Sequence, residues 1–154
     1  MILFSVGTEQ FPFDRLMIWM QTLLTQGFIQ EEIVVQYGSC TTQLNGVRAY
    51  SLLAESQFQE LIQQARLVVS HCGEGTILLL ETTSKPYILV PRCQSLGEHV
   101  DDHQVELAVA LAQREIPVAW SPGDLVRFIA SPRRTSPITG SFMDLCQHLK
   151  NRFG

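Results

Sequence analysis

The stretch "LVVSHCGEGTILLL", Leu67 to Leu80, decides how this chain is read. Leu67–Ser70 is apolar and β-branched, as a buried strand is, and Gly75–Thr83 has the apolar content of a helix. Between them lies the glycine-rich turn "HCGEGT". A strand passing through such a turn into a helix is half of a βαβ unit.

Working outward, the same alternation repeats. Ile2–Val6, ended by Gly7, and Ile33–Tyr37, closed by Gly38, read as strands. Phe13, Leu16, Met17, Met20 and Leu24 recur at helical spacing, with Gly27 at the helix end. The segment 41–53 is ambiguous, with Arg48–Leu52 a short strand; Phe58, Leu61, Ile62 and Ala65 then mark a helix face. Tyr87–Val90 is a strand stopped by Pro91. Asp101–Arg114 is a helix turning Val105, Ala108, Val109 and Ala112 inward, and Asp101 with Gln104 resembles a capping box.

Val118–Trp120 reads as a short strand. Ser121 caps the next helix, with Pro122 in its first turn. "SPRRTSPITGS" reads as a loop, and Phe142, Leu145, Cys146 and Leu149 stripe a last helix over about 138–152. These elements predict one α/β domain over 1–154, a Rossmann-like parallel sheet with helices on both faces. Ligands of such sheets sit at the carboxyl ends of the strands. That edge carries Gly7–Thr8, His71–Thr76 and Arg92–Gln104.

Composition narrows the function classes. The chain has 154 residues, 45% hydrophobic, and a formal charge of −4. That core is ample for one domain, and the absence of a basic footprint argues against nucleic acid as a partner. An anionic ligand must then be held by local dipoles and placed cations. No apolar run reaches the roughly 18 residues of a membrane span. "MILFSVGTEQ" reads as a first strand rather than a secretion signal. Cys40, Cys72, Cys93 and Cys146 form no CxxC pair, which argues against a disulfide framework and suits a reducing cytoplasm.

Three chemistries compete for the turn after Leu67–Ser70. As an anion cradle, it offers unpaired N–H groups at a helix N-terminus, glycines that admit a ligand to the main chain, and the Thr76 hydroxyl. The same glycines also suit a plain tight turn, and Glu74 opposes an anion unless it points away. Neither the Walker nor the dinucleotide motif is present. As a metal site, "HVDDH" offers His99 and His103 four apart, but no third well-placed ligand, and capping at Asp101 puts His99 outside the helix. As a nucleophile, Cys72 opens a helix, where a thiolate is stabilised, but Glu74 is wrong for a nucleophile elbow. Buried packing is the plainer reading of Cys72 and Cys93.

Four segments in order, "VGTEQFPFDRL", "SHCGEGT", "KPYILVPR" and "GEHVDDHQVELA", carry a resemblance that covers nearly residues 1–115. Together they resemble the donor-binding half of two-component GT-B glycosyltransferases of the family 28 C-terminal type. That group includes the small subunit of bacterial exopolysaccharide transferases and the catalytic subunit of the eukaryotic dolichol-linked GlcNAc transferase. More distantly the chain is similar to the C-terminal domain of the peptidoglycan GlcNAc transferase. The resemblance implies the C-terminal half of a GT-B enzyme that binds a UDP-sugar, with no metal and no other cofactor. It also implies a cytoplasmic location, peripheral to the membrane through a membrane-anchored partner subunit that holds a lipid-linked acceptor.

Carried over by position, Gly73, Gly75 and Thr76 cradle the diphosphate, and His103 and Gln104 reach the donor sugar. Gly7 and Thr8 face the partner across the cleft, and His71 borders the diphosphate or acceptor. One departure matters: the family places a ribose-binding glutamate where Leu79 stands, and the nearest acid is Glu81. Arg92, past a strand end, is expected to offset diphosphate charge. His71, Glu98 and His99 lie in the catalytic zone with roles unassigned, the base itself being expected from the partner or cleft edge. The final helix and the Phe13–Leu24 face are candidate partner contacts. Two rivals stand beside the transferase: a non-catalytic nucleotide-sugar-binding regulator, and a Cys–His hydrolase centred on Cys72.

Overall fold

A computed structural model of the protein describes residues 1–133 and 142–153. Its strands are β1 (Ile2–Ser5), β2 (Ile33–Gln36), β3 (Arg48–Tyr50), β4 (Leu67–His71) and β5 (Tyr87–Val90). They form one sheet in the order β3-β2-β1-β4-β5, every pair parallel. Its helices are α1 (Asp14–Thr25), α2 (Glu55–Gln64), α3 (Glu74–Glu81), α4 (His103–Ala112), α5 (Pro122–Ala130) and α6 (Phe142–Phe153).

Strand alternation divides the core in two. Leu3, Val34, Val68 and Leu89 point to one face, where they meet Ile62 of α2, Ile77 and Leu80 of α3, Leu107 and Leu111 of α4, and Leu145 and Leu149 of α6. Ile2, Phe4, Val35, Val69 and Ile88 point to the other, against Leu16, Met17 and Met20 of α1 and Leu125 and Ile129 of α5. Successive strand side chains alternate sides, so a strand covered on both faces reads as a continuous apolar run. The edge strand β3 is exposed throughout, which is why its sequence pattern is weak.

The chain winds outward from β1 through β2 to β3, then returns to β1's other side with β4 and β5. The crossover direction thus reverses between β1 and β4. In open parallel sheets a crevice forms at the carboxyl ends there.

Several expectations need correction. The reading of Val118–Trp120 as a strand shrinks to one bridge, Leu89 to Val118, beside β5. Helix α4 begins at His103, and its buried residues are Gln104, Leu107, Ala108 and Leu111. Val109 and Ala112, expected inward, are exposed. The helix is rotated because a polar residue, Gln104, occupies the inner face. No Asp101–Gln104 capping box forms; Asp101 accepts from the His103 N–H at 3.0 Å while the Gln104 side chain turns into the core.

The stripe Phe142, Leu145, Cys146 and Leu149 packs inside the chain's own core, so it is not a free partner surface. Leu16, Met17 and Met20, from the face also considered for a partner, are likewise internal. The expected loop from 131 and the expected helix start near 138 fall, over 134–141, outside the described residues. No helix among the described residues is long and apolar enough to cross a membrane.

Candidate functional site

A cleft of about 630 Å³ opens where β1, β2 and β4 end. Its walls bring together Gly7, Thr8, His71, Gly73, Gly75, Thr76, His99, His103 and Gln104 from segments far apart in sequence. The turn between β4 and α3 forms one wall. Gly73 caps α3 with extended backbone, and the first helical hydrogen bond runs from the Ile77 N–H to the Gly73 carbonyl. The amides of Glu74, Gly75 and Thr76 therefore have no acceptor among the described residues. Together with the helix dipole they favour an anion in the cleft.

The glycines of this wall have different reasons. A Cβ on Gly73 would overlap the His71 imidazole, and so would one on Gly7, whose φ is +77°. The His71 ring is thus packed against two glycines. Gly75 has nothing within 4 Å of a Cβ position; it faces open space.

Beneath the wall lies a buried polar network. Gln36 is 4% exposed at the end of β2 and clasps the Gly7 peptide from both sides. Its Oε1 accepts from the Gly7 N–H at 3.1 Å, and its Nε2 donates to the Gly7 carbonyl at 2.9 Å. The Ser5 hydroxyl donates to the same Oε1 at 2.9 Å. Neither Ser5 nor Gln36 was read as functional from sequence, yet both line the cleft. The available signal was a glutamine ending the otherwise apolar run "IVVQ".

Gln104 is a second clasp. Its Oε1 accepts from the N–H groups of Cys72 and Arg92, each at 3.2 Å, and its Nε2 lies 3.3 Å from His71 Nδ1. The other ring nitrogen, Nε2, lies 3.1 Å from the Thr76 hydroxyl. Burial, aided by the Arg92 charge, pushes the His71 pKa down to about 3. His71, placed in the catalytic zone with its role unassigned, is accordingly held uncharged and is a weak base. Gln104, expected to reach a donor sugar, uses its amide inside the protein.

Three further expectations are corrected. Arg92 is fully buried under the Phe13 ring and donates to the carbonyls of Val6, Phe11 and Glu98; it does not line the cleft. It ties the two loops of the rim, Val6–Phe11 and the one holding Glu98, to the end of β5. The Glu98 carboxylate is engaged by both Nε and Nη2 of Arg15, each at 2.9 Å, and also accepts from the Cys93 N–H. It is a loop anchor, not a catalytic group in the cleft. Glu81 accepts from the Tyr87 hydroxyl and is absent from the cleft wall, whereas Leu79 stands on it. Three residues from Thr76 a side chain returns to the same helix face, and five residues on it does not.

Two histidines remain on the rim. His99 sits 3.1 Å from Asp101 and 3.8 Å from Glu9. His103 meets Glu74, whose carboxylate also lies 3.8 Å from Lys150 of α6. Glu74 therefore points sideways to α4 and α6. Among the described residues no group of three His, Cys, Asp or Glu side chains is placed to hold a metal ion. The Cys72 side chain is fully buried in the core with its pKa pushed up by burial, so it is packing and not a nucleophile.

A search of curated proteins finds no match. Among solved structures, one described as the glycotransferase of kitacinnamycin matches with a TM-score of 0.57 at 16% identity. The match covers 97% of this chain and 37% of that one, so the chain spans little more than a third of that protein's length. At that identity the likeness shows a shared fold. The model of the glycosyltransferase family 28 C-terminal domain matches residues 1–132, the whole sheet and every cleft residue named above. The chain belongs to the glycosyltransferase family 28 C-terminal domain family.

Proposed function

We propose that the chain is the donor-binding part of an inverting glycosyltransferase that uses a UDP-sugar. The observation that carries this is the open row of Glu74, Gly75 and Thr76 amides on the cleft wall, beneath a glycine that leaves room for a diphosphate. Family membership supplies the reaction class. In the reaction the acceptor oxygen bonds to the anomeric carbon as the bond to the diphosphate oxygen breaks. The acceptor proton passes to a base, and UDP leaves. Amides and helix dipole stabilise the charge that grows on the departing diphosphate, a role that requires no metal.

No base is assigned to the floor: His71 stays neutral, and Glu98 is paired with Arg15. His99, which lines the cleft, or a group from the acceptor side takes that role. The acceptor is lipid-linked and held by a membrane-anchored partner subunit, in exopolysaccharide or glycolipid synthesis. The committed floor also favours a second reading, a non-catalytic nucleotide-sugar-binding module. It differs in giving no transfer from a UDP-sugar even with the acceptor-binding subunit present.

Calorimetric titration with UDP tests the donor reading. Binding is expected with and without EDTA, and is expected to fall at least tenfold in Gly75→Asp, whose carboxylate enters the anion site. Failure of the wild-type chain to bind UDP in either condition overturns it.

A further inference from the structure

We infer that Gln104 is a positioning residue: its amide holds His71 as the tautomer protonated on Nε2 and so turns the Thr76 hydroxyl proton into the cleft. What that proton meets rests on the donor-binding reading; the ring tautomer does not.

The argument runs through hydrogen-bond direction. The Cys72 and Arg92 N–H groups can only donate, and both reach the same atom of Gln104 at 3.2 Å. That atom must be the carbonyl oxygen; a reversed amide would set an NH₂ against two donors. The Gln104 NH₂ then faces His71 Nδ1 at 3.3 Å, which makes Nδ1 the acceptor. Burial keeps the ring neutral, so its one proton is on Nε2.

Nε2–H therefore donates to Thr76 Oγ1 at 3.1 Å. A hydroxyl that accepts on that side keeps its own proton for another acceptor. Among the described residues Thr76 has none, and it stands on the cleft wall beside the free amides. The arrangement is locked because the ring has no freedom to turn. Gly7 and Gly73 lie so close to it that a single carbon added at either would overlap the ring. The Thr76 hydroxyl is thereby committed as a donor, the role an oxyanion of a diphosphate accepts.

Proton–nitrogen correlation NMR of the full chain, labelled with ¹⁵N in its histidine rings, reads which nitrogen of His71 is protonated. The expected result is Nε2–H in wild type and a population protonated on Nδ1 in Gln104→Met. Should that variant not fold, Gln104→Glu keeps an acceptor for the two amides and, as the carboxylate, replaces the donor by an acceptor, so that Nδ1 carries a proton. Wild-type His71 protonated on Nδ1, or an unchanged tautomer in the folded variant, overturns the inference whether or not UDP binds.

Titration with UDP then follows the chain to the ligand. Thr76→Val is expected to weaken UDP about tenfold, the scale of one hydrogen bond to a charged group, and Thr76→Ser to restore it. Gln104→Met is expected to weaken UDP, and to add little once Thr76 is valine, because both changes remove one interaction. Fully additive losses overturn the route through Thr76. A wild type that binds no UDP removes the donor reading instead, and leaves the tautomer to stand or fall on the spectrum.

Discussion

The floor of the cleft and its rim both carry polar side chains, under opposite constraints. On the floor, His71, Gln36 and Gln104 are each at most 5% exposed, and each has its hydrogen bonds inside the protein. Arg92, buried off the cleft wall, donates to three carbonyls while its Nε has no partner among the described residues. On the rim, Glu9, Gly75 and the His103–Glu74 pair meet solvent. A polar group beneath a cleft is costly to bury unless satisfied, so the floor's groups are committed to partners inside the protein. The ligand must be met mostly by the rim and by main chain. Polar residues at the ends of strands are thus of two kinds, and only partners in space tell them apart.

The sharpest way to break this contrast is to crowd the floor. Gly7→Ala puts a carbon into the His71 ring and forces alanine to a φ of +77°. Overpacking and left-handed strain together are expected to destabilise by about 3 kcal/mol. Thermal unfolding is expected to shift downward by about 10 °C. A loss under about 1 kcal/mol would show that the floor is loose, and would remove the ground for treating His71 as fixed.

Next in size is Arg92→Met. The Val6, Phe11 and Glu98 carbonyls lose their donor, a cost partly offset by relieving a buried charge that no carboxylate contacts directly. A net loss of about 2 kcal/mol is expected in urea unfolding. UDP binding is expected to weaken alongside it, because both loops tied by Arg92 border the cleft. A stability loss with binding intact would separate rim from floor more sharply than the structure suggests.

The pH dependence of stability tests the same floor. In the folded chain His71 titrates near 3, against an ordinary value of 6.5. Between those values the unfolded chain binds a proton that the folded one refuses, so stability falls as pH falls. The contribution is complete above pH 6.5 and shrinks by up to about 1.4 kcal/mol per unit below it, about 2 kcal/mol by pH 5. Asp14, Glu31 and Asp101, held below their usual range by hydrogen bonds and ion pairs, lose their contributions only at lower pH. Urea unfolding of wild type and His71→Gln from pH 7 to 5 is expected to show a slope that the variant lacks. Equal slopes would place His71 in contact with water.

What was legible in the sequence divides along the same line. The buried strands and the Ser121-Pro122 helix start announce themselves, because burial on both faces and local capping leave marks within a few residues. Helix α4 was misoriented because a search for apolar periodicity passes over Gln104, the residue at its inner face. The Gln36 clasp on Gly7 joins residues 29 apart, and the bond from Arg92 to the Val6 carbonyl joins residues 86 apart. No local pattern encodes such partners. Arg92 and Glu98 looked like site residues because strand-end position and charge are visible in sequence, while enclosure is not.

The smallest stability effect is expected from Gly75→Ala, and it is the most discriminating. Gly73 and Gly75 look alike in "CGEG", yet a Cβ on Gly73 strikes His71 and one on Gly75 meets nothing within 4 Å. Gly75 also lies inside α3, where alanine is the better helix former by up to about 1 kcal/mol, less near the helix end. Alanine there is therefore expected to leave unfolding unchanged or raised by a few tenths of a kcal/mol. A glycine that costs the helix stability and relieves no internal clash is explained by what approaches it from outside. The methyl group narrows the space over the open amides, so UDP affinity is expected to drop severalfold in calorimetric titration while the unfolding midpoint holds. If both hold, the missing side chain serves no ligand, and Gly75 belongs with the plain turn rather than with the rim.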